Sequence, residues 1–301
     1  MNRLDDLQQC NLCPRECGVN RRAGQTGYCR EKAQLVVGRA ALHEWEEPCI
    51  SGTKGSGTVF FAGCNMGCVF CQNYNLSHGK QGKEITHQRL AEIFMELQKK
   101  GAHNINLVTP THYIPAIIEV IKKARNAGLK LPIIYNCSGY EKVESLKLLE
   151  GWIDIYLPDC KYYSEDLAKK YSHAPHYFKY ALSAIKEMVR QVGRAQFDEA
   201  GMLQKGVVVR HLMLPGHLED SKRIVKSLHQ AFGDQIYLSL MNQYTPLPQV
   251  EHYLELNRKV SNRAYEKLIG YALDLGVENG YIQEGETAKE SFIPLFDGEG
   301  V

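Results

Sequence analysis

From residue 57 onward, short runs of β-branched and aromatic residues alternate with longer stretches in which apolar side chains recur at i, i+3 and i+4. The short runs read as strands, and the longer stretches as helices that bury one face against a sheet. Strands are predicted at 58–62, 104–109, 132–136, 152–157, 206–212 and 235–240, and helices at 88–100, 114–127, 142–150, 165–172, 176–192, 219–232 and 257–275. Alternation of this kind implies an α/β fold with a parallel sheet, closed or partly closed. No fixed-length motif recurs, so the chain is not a solenoid.

Polar residues gather after the predicted strands. The first strand runs into a cysteine loop, the second into Thr109-Pro110-Thr111-His112-Tyr113, the third into Asn136-Cys137-Ser138-Gly139, the fourth into Asp159-Cys160-Lys161 and the sixth into Asn242-Gln243-Tyr244. In parallel α/β architectures the loops at the carboxyl ends of strands carry binding and catalysis, so one site is expected on that rim. Taken singly, each of these residues is equally well a helix cap or turn former.

Composition adds boundaries. The 301 residues, 44% of them hydrophobic, can bury a large core, and they divide into a cysteine-rich extension at 1–50, the alternating body at 51–284 and a tail at 285–301. A net charge of +2 demands no polyanionic partner, and no nucleic-acid role is expected. Residues 1–12 are polar with no apolar export segment, and no run of about 18 apolar residues occurs, so a cytoplasmic chain without a membrane span is expected. In a reducing compartment, grouped cysteines point to metal or cluster binding more than to disulfides.

Eight of the ten cysteines lie at or before Cys71. Cys64, Cys68 and Cys71 are spaced Cys-x-x-x-Cys-x-x-Cys in the loop after the first strand. A four-iron cluster normally takes four thiolates, so three leave one iron open to a substrate or cofactor. A zinc site or three buried thiols is the alternative, but nothing beside this loop completes a tetrahedral set. Cys10, Cys13, Cys17 and Cys29 form a second group, Cys-x-x-Cys-Pro-x-x-Cys followed after eleven residues by Cys. Four thiolates saturate a metal, so this set is structural or electron-carrying: a second iron-sulfur cluster or a zinc knuckle. Cys137 and Cys160 are assigned no metal, and Cys49 reads as a lone buried thiol more than as a replacement for one of these ligands.

The segment Glu46-Glu47-Pro48-Cys49-Ile50-Ser51-Gly52 and the stretch from Gly57 to Tyr74 around the three cysteines resemble the pyruvate formate-lyase activating enzyme homologues of the radical SAM superfamily, in the branch with a cysteine-rich amino terminus. The resemblance runs from Cys10 to about Tyr244. It implies a partial (β/α)6 barrel and a 4Fe-4S cluster on Cys64, Cys68 and Cys71, with the amino and carboxylate groups of S-adenosylmethionine chelating the fourth iron. It further implies that an electron from reduced flavodoxin or ferredoxin splits the cofactor into methionine and a 5′-deoxyadenosyl radical that abstracts hydrogen from a substrate. The protein then supplies ligation, orientation and exclusion of water.

By the same resemblance, Asp159 and Lys161 match an Asp-x-Lys element whose lysine meets the methionine carboxylate and whose aspartate contacts the cofactor; a surface ion pair is the bland alternative. Asn136 and Ser138, with Gly139, match a polar turn suited to ribose or methionine. Where relatives carry a Gly-Gly-Glu element for the methionine amino group, this chain has Thr109-Pro110-Thr111-His112, whose hydroxyls or backbone carbonyls would have to accept those hydrogen bonds. Arg210 and His211, followed by Leu-Met-Leu-Pro-Gly216, resemble the fifth-strand element; alternation turns only one inward, and His211 is expected to be that one. No catalytic residue is assigned beyond the cluster. The implied role is abstraction from a backbone glycine of a partner glycyl radical enzyme. A small molecule or another protein residue is the second target class, and a non-catalytic electron-transfer protein the third reading.

Two weaker signals remain. Residues 52–57 are glycine-rich without the ending of a phosphate loop, and read as a flexible lead into the first strand. Tyr162, Tyr163, Tyr171, Tyr177, Phe178 and Tyr180 are expected to pack a helix onto the barrel more than to face a partner.

Overall fold

The computed structural model describes residues 7–283, 294 and 296–301. Among them the strands are β1 (Leu35–His43), β2 (Ser56–Phe61), β3 (Lys83–Ile85), β4 (Ile105–Val108), β5 (Ile133–Cys137), β6 (Ile155–Pro158), β7 (Gln196–Phe197), β8 (Leu203–Leu212), β9 (Tyr237–Met241) and β10 (Gly280–Ile282). The helices are α1 (Pro48–Ser51), α2 (Tyr74–Ser77), α3 (His87–Lys99), α4 (Ile114–Asn126), α5 (Val143–Lys147), α6 (Glu165–Ser172), α7 (Tyr177–Val192), α8 (Leu218–Phe232) and α9 (Asn262–Asp274). The sheet order is β10-β9-β8-β6-β5-β4-β2-β1-β3, with β7 paired to β8. Every pairing from β2 to β10 along that path is parallel. The result is an α/β fold, a partial barrel with a cysteine-rich amino-terminal segment.

The six strands read from the sequence are β2, β4, β5, β6, β8 and β9. Alternation sorts their side chains into two layers. Ile105 and Leu107, Ile133 and Tyr135, and Val207 and Val209 face the helices and share one core with Ile185 of α7 and Ile224 of α8. The intervening Ile134, Ile155, Leu157 and Val208 point inward and pack on Cys49 and Ile50 of α1. The four-residue helix α1, opened by Pro48 in its first turn, thus plugs the amino end of the barrel. Three of the helices carry side-chain caps: Thr86 accepts from Arg89 N, Ser164 from Leu167 N and Ser261 from Ala264 N.

The strands left unread lie at the edges. β1 pairs antiparallel with both β2 and β3, so the cysteine-rich segment feeds directly into the sheet. Of the tail expected at 285–301, residues 285–293 and 295 lie outside the described residues. Its last residues run beside β1: Gly298 N donates to Gly38 O at 3.1 Å, Ala40 N to Glu299 O at 2.9 Å, and Phe296 packs edge-on against Phe60. No described helix is long and apolar enough to cross a membrane.

Ile185 is fully buried between α7 and the sheet. Ile185→Ala should destabilise the fold by about 2–5 kcal/mol, read as a lowered midpoint of chemical denaturation followed by circular dichroism.

Candidate active site

The loop after β2 presents Cys64, Cys68 and Cys71 to one cavity of about 350 Å3. Its path depends on two glycines with left-handed backbone. A Cβ on Gly63 (φ +78°) would lie 2.5 Å from Cys29 O, and one on Gly67 (φ +76°) would lie 2.7 Å from the Tyr28 hydroxyl. Cys68 is buried, and Cys64 and Cys71 are partly exposed. Burial, reinforced by Cys68 and Cys71, pushes the Cys64 thiol up to about 12. Burial also pushes Cys68 up to about 11, against the pull of the Lys161 ammonium. Met66 N donates to Cys64 Sγ at 3.4 Å and Ser172 Oγ to Cys68 Sγ at 2.9 Å. Three thiols crowded in a low-dielectric pocket become thiolates only against concentrated positive charge, which an iron cluster supplies. The residues present therefore fit such a cluster.

Across the same cavity stand Asp159 and Lys161, with Asn136, Ser138 and Thr109 beside them. Lys161 Nζ donates to Asp159 Oδ2 at 2.6 Å. Burial alone would depress the Lys161 ammonium, but the Asp159 carboxylate and the neighbouring Cys68 outweigh it and its pKa is raised. The loops after β5 and β6 are pressed together: Gly139 (φ +75°) approaches so closely that a Cβ would lie 2.1 Å from Asp159 O. The Tyr177 hydroxyl lies 2.7 Å from Ser138 O and 3.0 Å from Asp159 O, and accepts from Lys161 N at 3.0 Å. Tyr177 thus positions both loops, a role hidden in the sequence within an aromatic stretch. Thr109 holds φ +60°, rare for a β-branched residue, with its N–H on Asn136 O at 2.9 Å.

Two expectations are corrected. His211 does not line the cavity: Val208, Arg210 and Leu212 share the inner face of β8, so His211 turns outward, buried, with Nδ1 2.8 Å from Cys160 O. Arg210 is the inward member of the pair. Thr111, offered as an acceptor for the methionine amino group, is buried and its hydroxyl donates to Glu141 Oε1 at 2.7 Å. His112 is likewise engaged, with Nε2 2.7 Å from Ala62 O.

Arg210 meets two acids that enter from the segment between β1 and α1. Its Nε donates to Glu47 Oε1 at 2.8 Å and its Nη2 to Glu47 Oε2 at 2.5 Å, and Nη2 also reaches Glu46 Oε2. All three line the cavity, with Glu46 and Glu47 side chains only 7% and 5% exposed. Burial would raise the Glu47 carboxyl, but the Arg210 guanidinium more than offsets it and holds it below its ordinary range. The plug α1 lies beneath, so this ion cluster forms the cavity floor opposite the thiol rim.

The amino-terminal cysteines sit behind the thiol loop. Cys10 and Cys29 are buried, Cys13 is partly buried, and Cys17 is exposed and accepts from Tyr28 N at 3.2 Å. Burial raises the Cys29 thiol, with Cys10 adding to the effect. Among the described residues, no group of three or more His, Cys, Asp or Glu is arranged to hold a single metal ion, an arrangement that a four-iron cluster does not require. Arg15, between Cys13 and Cys17, bolts the two cysteine regions together. Its guanidinium donates to Asn65 O at 2.7 Å, Met66 O at 2.9 Å, Ser172 O at 3.3 Å and His173 O, and stacks 3.7 Å from the centre of the Tyr28 ring. The Tyr28 hydroxyl also donates to Met66 O, at 3.0 Å.

A partial parallel barrel with one polar cavity at its carboxyl rim defines the class of α/β barrel enzymes that bind their ligands in the strand-end loops. The profile of the radical SAM superfamily matches residues 58–228, more than half of the chain. The chain belongs to the radical SAM superfamily, and with that come a 4Fe-4S cluster and S-adenosylmethionine as cofactors. An uncharacterized protein of Methanocaldococcus jannaschii is 28% identical over 281 residues, covering 89% of this chain and 77% of the relative. Among solved structures, HydG, a maturase of the [FeFe]-hydrogenase, shares the fold with a TM-score of 0.52 at 17% identity over 78% of this chain and 53% of that one. SuiB of Streptococcus suis, solved with its precursor peptide SuiA, gives a TM-score of 0.50 at 15% identity over 74% of this chain and 46% of its own. The chain spans about half the length of these two solved chains.

Gly139→Ala should separate the Ser138 and Asp159 loops, because neither the backbone carbonyl at 2.1 Å nor the left-handed φ accommodates a Cβ. Weakened S-adenosylmethionine binding by equilibrium dialysis, with the far-ultraviolet circular dichroism retained, is the expected outcome.

Proposed function

We propose that the chain is a radical SAM enzyme whose cluster is held by Cys64, Cys68 and Cys71 and whose S-adenosylmethionine lies between that loop and the Asp159–Lys161 pair. When bound and reduced, these cofactors supply methionine and a 5′-deoxyadenosyl radical that takes a hydrogen atom from the substrate. The observation that carries the reading is the convergence of three thiols and the partly buried Lys161 ammonium on one cavity. Lys161 has three N–H donors and spends one on Asp159, leaving others for the methionine carboxylate. Asn136, Ser138 and Thr109 offer polar atoms for the ribose and the methionine amino group. Tyr177 and Gly139 hold the loops after β5 and β6 together on that side of the pocket. Cys10, Cys13, Cys17 and Cys29 are assigned to a second metal, iron-sulfur or zinc, in an extension spanning 1–50, and reduced flavodoxin or ferredoxin to electron supply.

The resemblance to activating enzymes supports a backbone glycine of a partner enzyme as the target. The charged floor made by Glu46, Glu47 and Arg210 favours the second target class, a substrate with a polar group of its own, because a backbone glycine offers no charge for it to read.

Anaerobic reconstitution followed by dithionite should yield 5′-deoxyadenosine and methionine; a fully loaded protein that forms neither would sink the enzymatic reading. Replacing Cys64, Cys68 and Cys71 together by Ala should abolish this product and remove about four irons per chain, and counting the remaining iron, sulfide and zinc identifies the amino-terminal metal. Lys161→Gln should weaken S-adenosylmethionine binding roughly 10- to 100-fold through loss of a charge-assisted hydrogen bond, measured by equilibrium dialysis on the cluster-loaded protein.

A further inference from the structure

Behind Cys68 two hydroxyl groups stand in line, away from solvent. Ser172 Oγ donates to Cys68 Sγ at 2.9 Å, and the Tyr162 hydroxyl lies 2.6 Å from Ser172 Oγ. Both residues are fully buried. Ser172 is the last residue of α6, and the residue before it ties the same helix end to the thiol loop: Val69 N donates to Tyr171 O at 2.8 Å. Tyr162 sits edge-on to Phe70 and Tyr177, with ring centres 6.5 and 5.4 Å away, in the apolar cluster that also holds Met66 and Cys68. Packing on those rings fixes where its hydroxyl falls. A phenylalanine would pack there as well, so packing alone leaves the hydroxyl unexplained.

The chemistry of Cys68 sets the direction of this relay. A cysteine that ligates iron does so as a thiolate, which accepts hydrogen bonds and has none to donate. Ser172 has one hydroxyl proton and spends it on Cys68, so the proton between Ser172 and Tyr162 belongs to Tyr162. The order is Tyr162 to Ser172 to Cys68, and in a low-dielectric surrounding each bond polarises the next. Hydrogen bonds to the sulfurs are among the factors that set the reduction potential of an iron-sulfur cluster. They favour the state with more negative charge on sulfur, which is the reduced one. We infer that Ser172 and Tyr162 are positioning residues that act through Cys68 to raise the reduction potential of the catalytic cluster. The inference rests on the reading of Cys64, Cys68 and Cys71 as the ligands of that cluster. In the step concerned, one electron leaves the donor and enters the cluster. No bond is made or broken, and both hydroxyls keep their protons.

The test is a redox titration of the anaerobically reconstituted holoenzyme with dithionite as the electron donor, followed by electron paramagnetic resonance of the reduced cluster. The signal to follow is the one lost when Cys64, Cys68 and Cys71 are replaced by Ala, which separates it from any amino-terminal cluster. Ser172→Ala, at full iron content, should lower the equilibrium constant for reduction about tenfold, a fall in midpoint of about 59 mV for one electron. Tyr162→Phe keeps the ring and removes only the outer hydroxyl, and should shift the midpoint the same way by a smaller amount. Ser172→Thr keeps the donor and should restore most of the potential. A midpoint that is unchanged or raised in Ser172→Ala would overturn the inference, and if that variant does not hold its iron, the same result in Tyr162→Phe overturns it. A reduced-cluster signal that survives intact without the three cysteines overturns the underlying reading instead.

Discussion

Because β2, β4, β5, β6, β8 and β9 all run in one direction, their carboxyl ends share a rim, and the helix that returns the chain after most of them covers the outer face. Every other structural feature of the site follows from that constraint. A strand that enters the rim from a core of Val, Ile and Leu must turn there, and the turning backbone exposes N–H and C=O groups that need partners. Tyr177 serves the loops after β5 and β6, and Asn65 spans from the thiol loop to Tyr140 O at 2.7 Å. The rim is thus a web of backbone groups tied by buried side chains, which holds the polar cavity-facing groups in fixed relation.

The amino-terminal segment belongs to that web. Arg15 answers carbonyls from the thiol loop and from the end of α6 with one planar guanidinium, a fork geometry that lysine lacks. Gly63 and Gly67 leave no room for a side chain where the two cysteine regions touch. Contact this close makes the thiol loop and the Cys10–Cys29 region a single packed unit, in which rearranging one disturbs the backbone of the other.

Much of the fold was legible because its driving pattern is local. Six parallel strands and seven helices announced themselves by period, since each buries one face or both against a continuous core. β1 was not read from the sequence, and its antiparallel pairing with β2 could not be, because pairing across a sheet leaves no mark on spacing along the chain. At the site, the thiol triplet and the Asp159–Lys161 element were visible as short motifs. Arg15 was not, for its four carbonyl partners come from residues 65, 66, 172 and 173. Counting inward positions on β8 from Val208 would have picked Arg210 over His211, had the direction of Val208 been known.

The amino-acid sequence by itself determined the order of strands and helices, the three-thiol loop at the end of the first parallel strand and the polar character of the rim. These depend on spacing and residue type within a few positions. Only the tertiary structure decided which face of β8 looks into the barrel, that Glu46 and Glu47 reach Arg210 across 164 and 163 residues, and that the amino-terminal cysteines lean on the thiol loop. The physical reason is one of range: hydrophobic periodicity is written along the chain, whereas the pairing of buried charges and the satisfaction of turning backbone are settled between segments that meet only once the barrel has formed.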